Sequence, residues 1–100
     1  MSDFRDVTAR HRYEQGFADA DGTLRCVWAD YATRGAARAI LHVEAEPELR
    51  GTGASGQFMQ SLADHARREG TRLIPICGYA VAWFKRHPDQ ADVLAEPPPL

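Results

Sequence analysis

The chain has 100 residues, 44% of them hydrophobic and 26% charged, with a net charge of −2 and Lys and Arg scattered along it. That length holds one domain with a modest core, burying roughly 60–65% of the surface its unfolded chain exposes. The charge pattern points to neither nucleic acid nor a membrane surface, and no apolar run approaches spanning length.

The start is polar and lacks a signal-peptide core, and Cys26 and Cys77 do not make a disulfide framework. A reduced, cytoplasmic setting is therefore expected. Residues 1–9 read as a polar lead-in, 10–94 as a single domain, and 95–100 as a Pro-rich tail.

Residues 10–18 read as an extended strand with Tyr13 and Phe17 on one face, followed by a turn whose tight corner is Asp21-Gly22. In residues 23–31, Leu24, Cys26 and Trp28 share one parity and Arg25, Val27 and Ala29 the other, and Cys26 reads as core. A corner at Thr33-Arg34-Gly35 leads to a third strand over 37–45, completing an antiparallel meander. Phe58, Met59, Leu62, Ala63 and Ala66 then recur at helical spacing, with Gly70 as the stop. Residues 73–77 form a short apolar strand in which Pro75 predicts an edge, a bulge or a splayed end. Residues 79–87 form a second helix carrying Val81, Trp83 and Phe84 and stopped by Pro88. The order is β-β-β-α-β-α, an α/β domain with a mixed, mainly antiparallel sheet and two packed helices.

Between the third strand and the first helix lies Glu48-Leu49-Arg50-Gly51-Thr52-Gly53-Ala54-Ser55-Gly56. Glycine tolerates positive φ and brings no side chain, so such a turn lets backbone N–H groups converge on one small volume. The helix that follows adds the positive end of its dipole. This is the chemistry of a phosphate or pyrophosphate cradle. Gly51-x-Gly53-x-x-Gly56 also matches a dinucleotide fingerprint, but that fold needs an acidic residue about 20 positions further on. Residues 71–77 contain no Asp or Glu, and no Gly-Lys-Ser/Thr follows the turn. Both nucleotide readings are poor.

Placed after a long third strand and before a helix, Arg50-Gly51-Thr52-Gly53-Ala54-Ser55 resembles the acyl-CoA motif of the GNAT acyltransferase superfamily, Gln/Arg-x-x-Gly-x-Gly/Ala. The chain is most similar to a subfamily of short, stand-alone GNAT-like proteins. The shared features are His42-x-Glu44, Pro47 to Gly51, the Pro75, Cys77 and Tyr79 run, and His87-Pro88. Ser55 stands where the superfamily has Gly or Ala. The resemblance implies a minimal GNAT fold whose third and fourth strands splay to admit the pantetheine arm, with acetyl-CoA or another acyl-CoA as donor and an amine as acceptor. It implies that Arg50, Gly51, Thr52, Gly53, Ala54 and Ser55 hold the cofactor. Elements that help build the acceptor site in full-length members are missing, so that pocket is expected to be open or completed by a partner.

An ammonium acceptor must lose a proton before it attacks a thioester, and a positioned base contributes about 10²–10⁴-fold. His42 and Glu44 share a strand face, with Leu41, Val43 and Ala45 facing the core. The resemblance makes Glu44 the first choice for the base and His42 the second; a solvated ion pair is the competing reading. Cys77 would lie near the thioester, as an acyl-accepting thiol or as a small apolar residue. Tyr79 could protonate the leaving thiolate or serve only in packing. His65 reads as exposed, and the histidines show no metal spacing. The function expected is acyl-CoA-dependent transfer to a small or protein amine; the alternative is a non-catalytic CoA or acyl-CoA binding module acting through a partner protein. An unsheltered minimal domain is also compatible with a homodimer.

Overall fold

The computed structural model describes residues 3–95. Five strands form one sheet in sequence order: β1 (Arg5–Val7), β2 (Arg12–Ala18), β3 (Leu24–Arg34), β4 (Ala37–Ala45) and β5 (Arg72–Pro75). β1 to β4 are antiparallel, and β5 joins β4 in parallel. The crossover carries α1 (Ala54–Glu69), and α2 (Gly78–Arg86) follows β5. The mixed sheet and two helices agree with the sequence reading, with β1 as an addition.

β1 lies in what reads as a lead-in because its local sequence is polar and short. Tertiary contacts hold it: the Phe4 ring stacks 5.4 Å from Tyr13 and lies 5.6 Å from Phe58. Asp6 accepts a hydrogen bond from the Tyr31 hydroxyl at 2.7 Å and is paired with Arg38. His11, in left-handed conformation at φ 51, turns the chain from β1 towards β2. The Pro-rich tail, from 96 onward, lies outside the described residues.

One face of the sheet supplies Tyr13, Val27, Ala29, Tyr31 and Ile40 to the core. The α1 stripe of Phe58, Met59, Leu62, Ala63 and Ala66 is fully buried against it, as its spacing predicts. Gly70, at φ 69, closes α1 with its N–H on Ala66. Trp83 and Phe84 of α2 complete the packing with Leu73 and Val93.

The register corrects the sequence reading of β3. Tyr13 opposes Ala29 and Gln15 opposes Val27, so the odd positions face the core. Leu24 is 70% exposed, while Cys26 and Trp28 are only half-buried on the other face. Local alternation gives the period but not which parity points inward. His65 is also corrected, being half-buried with its ring 5.1 Å from Phe4 and 5.7 Å from Tyr13.

β4 changes character midway. Tyr31 opposes Ile40 and Asp30 opposes His42, which leaves Leu41 as an extra residue in a bulge. Leu41 is therefore exposed, whereas Val43 and Ala45 pack against the core as their parity predicts. Pairing with β5 runs only from Ala37–Arg72 to Ile40–Pro75. There the Ile40 carbonyl accepts from the N–H groups of both Ile76 and Cys77, and the two strands part. Pro75 ends an edge strand, where its missing N–H does least harm.

Candidate active site

The glycine turn is built by a 3₁₀ turn, Pro47–Leu49, that leads β4 towards α1. Thr52 ties it down: its hydroxyl donates to the Leu49 carbonyl at 2.6 Å and accepts from the Ala54 N–H at 3.2 Å. Gly51 and Gly53 adopt φ 78 and 81, a region that strains residues bearing a Cβ. The Thr52 N–H bonds to the Leu49 carbonyl. Among the described residues, the N–H groups of Gly51, Gly53, Ser55 and Gly56 have no hydrogen-bond acceptor in the chain. Unsatisfied donors at the start of a 16-residue helix are an arrangement that favours an anion.

These donors border a cleft of about 530 Å³. Its walls are Glu44, Ala45 and Glu46 at the end of β4, then Pro47 and Leu49, the turn from Arg50 to Gly56, and Tyr79 from the first turn of α2. The fold thus brings Arg50, Gly51, Gly53, Ala54 and Ser55 to one hollow with Glu44 and Tyr79. Thr52 acts beside it as a brace and does not line it.

Glu44 and His42 share the solvent face of β4. His42 Nε2 lies 2.7 Å from Glu44 Oε1, and both side chains are more than half exposed, at 55% and 54%. Tyr79 is 37% exposed, and burial pushes its phenol above the ordinary value, which keeps it a proton donor at neutral pH. Cys77 lies outside the cleft wall. It is the N-cap of α2, its sulfur accepting from the Ala80 N–H at 3.4 Å, and it packs against the core.

A support invisible in local sequence lies behind the turn. Glu46 accepts from the Cys26 N–H at 2.7 Å and returns its own N–H to the Cys26 carbonyl at 3.0 Å. Arg25 hydrogen-bonds Asp19 at 2.9 Å and lies 3.7 Å from both Glu46 and Glu48. The charges of β3 thereby hold the segment from which the glycine turn springs. Only the run Glu46-Pro47-Glu48, acidic residues beside a rigid Pro, could have suggested it. Gly56 is a further donor that the hexapeptide motif leaves out. Among the described residues, no group of His, Cys, Asp and Glu converges as a metal site, and no helix is long and apolar enough to cross a membrane.

A five-stranded mixed sheet whose last two strands part beside a glycine-rich helix start defines the α/β class to which this fold belongs. The family model for GCN5-related N-acetyltransferases matches residues 12–93, and the chain belongs to that family. The fold is similar to the NMR solution structure of a GCN5-like candidate N-acetyltransferase from Staphylococcus aureus. That match has a TM-score of 0.65 and 19% sequence identity, over 95% of this chain and 89% of the other. At that identity the likeness is one of fold. No curated protein matches the chain.

Proposed function

We propose that the protein is an acyl-CoA-dependent N-acyltransferase that uses acetyl-CoA and transfers its acetyl group to a primary amine. One observation carries the reading: four backbone donors without partners line the same cleft as an exposed glutamate and a protonated tyrosine. The donors suit a pyrophosphate. Arg50, exposed at the rim, adds a cation, and the gap where β4 leaves β5 takes the extended arm. When bound, acetyl-CoA supplies the activated thioester.

The remaining chemistry falls to side chains and backbone. Glu44, linked to His42, takes the proton from the incoming ammonium. Oxyanion donors would come from the unpaired side of β4 beyond Ile40, because the N–H groups of Ile76 and Cys77 are already taken by the Ile40 carbonyl. Tyr79 would give its proton to the departing thiolate and regain one from solvent, while the second proton shed by the attacking nitrogen leaves to water. Cys77 stays out of the covalent path because it lies outside the cleft wall and packs against the core. A direct transfer, without an acyl-enzyme, follows.

The exposure of Glu44 and His42 favours a second reading, a CoA or acyl-CoA binding module that acts through a partner, since an effective base is usually more sheltered. Calorimetric titration with acetyl-CoA, followed by turnover with an amine panel and intact-mass spectrometry, separates the two. Micromolar binding with acetylated amine and an unmodified chain supports the enzyme; binding without turnover supports the module. No binding at millimolar acetyl-CoA removes both.

A further inference from the structure

The sheet face opposite α1 carries a constellation of which the acyl-CoA cleft uses only Glu44. Cross-strand pairing sets Arg5, Glu14, Trp28 and Glu44 in one row across four strands. Arg12, Asp30 and His42 form the next row. Directly opposed residues share a face with Cβ atoms about 4.5–5.5 Å apart. Trp28 is therefore flanked by two glutamates, and one of them, Glu44, also lines the cleft. The ring already holds a cation: the Arg12 guanidinium carbon lies 5.2 Å from its centroid. Arg12 is kept there by Asp30 at 3.1 Å and Glu14 at 3.8 Å, with about a third of its side chain still in water.

We propose that Trp28, rimmed by Glu14, Asp30 and Glu44, is the anchor for the acceptor, and that the acceptor is a small primary amine bearing a second positive charge. The inference rests on the acyltransfer reading above and names the substrate class for that site. Charge complementarity selects the occupant: immediately around Trp28, the three carboxylates of Glu14, Asp30 and Glu44 face the two guanidiniums of Arg5 and Arg12, with His42 on Glu44, so the local balance favours a cation. Continuity places it, because an amine whose proton goes to Glu44 has its other end over the neighbouring strand, at Trp28. Arg12 is a placeholder that the second ammonium displaces. An uncharged tail gains nothing from the ring face or the carboxylates.

The test uses the whole chain labelled with nitrogen-15 and two probes, putrescine and butylamine, which differ in the second charge. The Trp28 indole N–H, assigned by its loss in Trp28→Phe, is expected to shift saturably with putrescine and not with butylamine. By calorimetry, Trp28→Leu weakens putrescine binding about 2- to 30-fold, the range of a cation–π contact, while Trp28→Phe stays near the parent. Arg12→Ala is expected to tighten binding, which a merely structural Arg12 would not do. Equal response to butylamine, unchanged affinity in folded Trp28→Leu, or weaker binding in Arg12→Ala overturns the proposal. If Trp28→Leu does not fold, Arg12→Ala decides. Acetyl-CoA titration of the same sample separates the two claims. Acetyl-CoA binding with no putrescine response removes the anchor alone, and a putrescine response without acetyl-CoA binding removes the acyltransfer reading and leaves a cation site.

Discussion

The two halves of β4 are the same strand under two regimes. From Ala37 to Ile40 it is paired on both sides, and Arg38 is half-buried among Asp6, Tyr13 and Tyr31. From Leu41 to Ala45 it is paired with β3 alone, and His42 and Glu44 stand in solvent. A single extra residue at the bulge divides them. The closed half satisfies its polar groups internally and holds the sheet together. The open half leaves His42 and Glu44 in solvent, on a backbone that the paired half beside it holds in place.

The sharpest way to break this comparison is Glu44→Gln in the open half. It should lower kcat by about 10²–10⁴ while leaving acetyl-CoA affinity and the unfolding midpoint unchanged. A stability loss with turnover intact would make Glu44 a structural residue instead. Gly53→Val comes next. It forces a β-branched residue to φ 81 and adds a side chain at a position that lines the cleft. Acetyl-CoA binding should weaken roughly 100-fold or more, the worth of two charge-assisted hydrogen bonds, in a chain that still folds. Unchanged calorimetric affinity would show that the turn is only a corner.

In the closed half, Arg38→Ala should destabilise the chain by about 2–3 kcal/mol in urea denaturation, because it leaves the half-buried Asp6 carboxylate with no cation, held by Tyr31 alone, and removes the donor to Tyr13. An effect under about 0.5 kcal/mol would reduce the cluster to surface decoration. A pH profile sharpens the same point. Burial and the hydrogen bond to Asp6 push the Tyr31 phenol from 10.0 up to about 12. The folded state therefore favours the protonated phenol. Its stabilising contribution is full below pH 10 and is lost as the pH rises from 10 to about 12. Tyr31→Phe should make that alkaline decline shallower; an identical profile would assign it elsewhere. The smallest effect is expected at Cys77→Ser, with turnover within about threefold of the parent because a serine also caps a helix. A collapse in turnover would reinstate an acyl-cysteine.

Much of this was legible where the chemistry is local. The spacing of Phe58, Met59, Leu62, Ala63 and Ala66 is set by the helical repeat, so α1 and its buried face could be read directly. Positive φ at Gly51 and Gly53 follows from residue type in a tight strand-to-helix turn. Pro75 announced the edge because proline has no N–H to give. By contrast, β1 has only Phe4 and Val7 to mark it, and its partners lie far along the chain in Tyr13, Tyr31, Arg38 and Phe58. The half-burial of Cys26 and His65 likewise depended on facts outside their own elements.

By itself, then, the sequence determined the helical and strand periods, the turns and the positive-φ glycine corner, since each depends on backbone geometry within a few residues. Tertiary structure decided the parity of β3, the bulge at Leu41 and the meeting of Glu44 with Tyr79 across the cleft. It also set the row that flanks Trp28 with Glu14 and Glu44. Those depend on strand register, and register is fixed by the energy of a whole buried face rather than by any one residue.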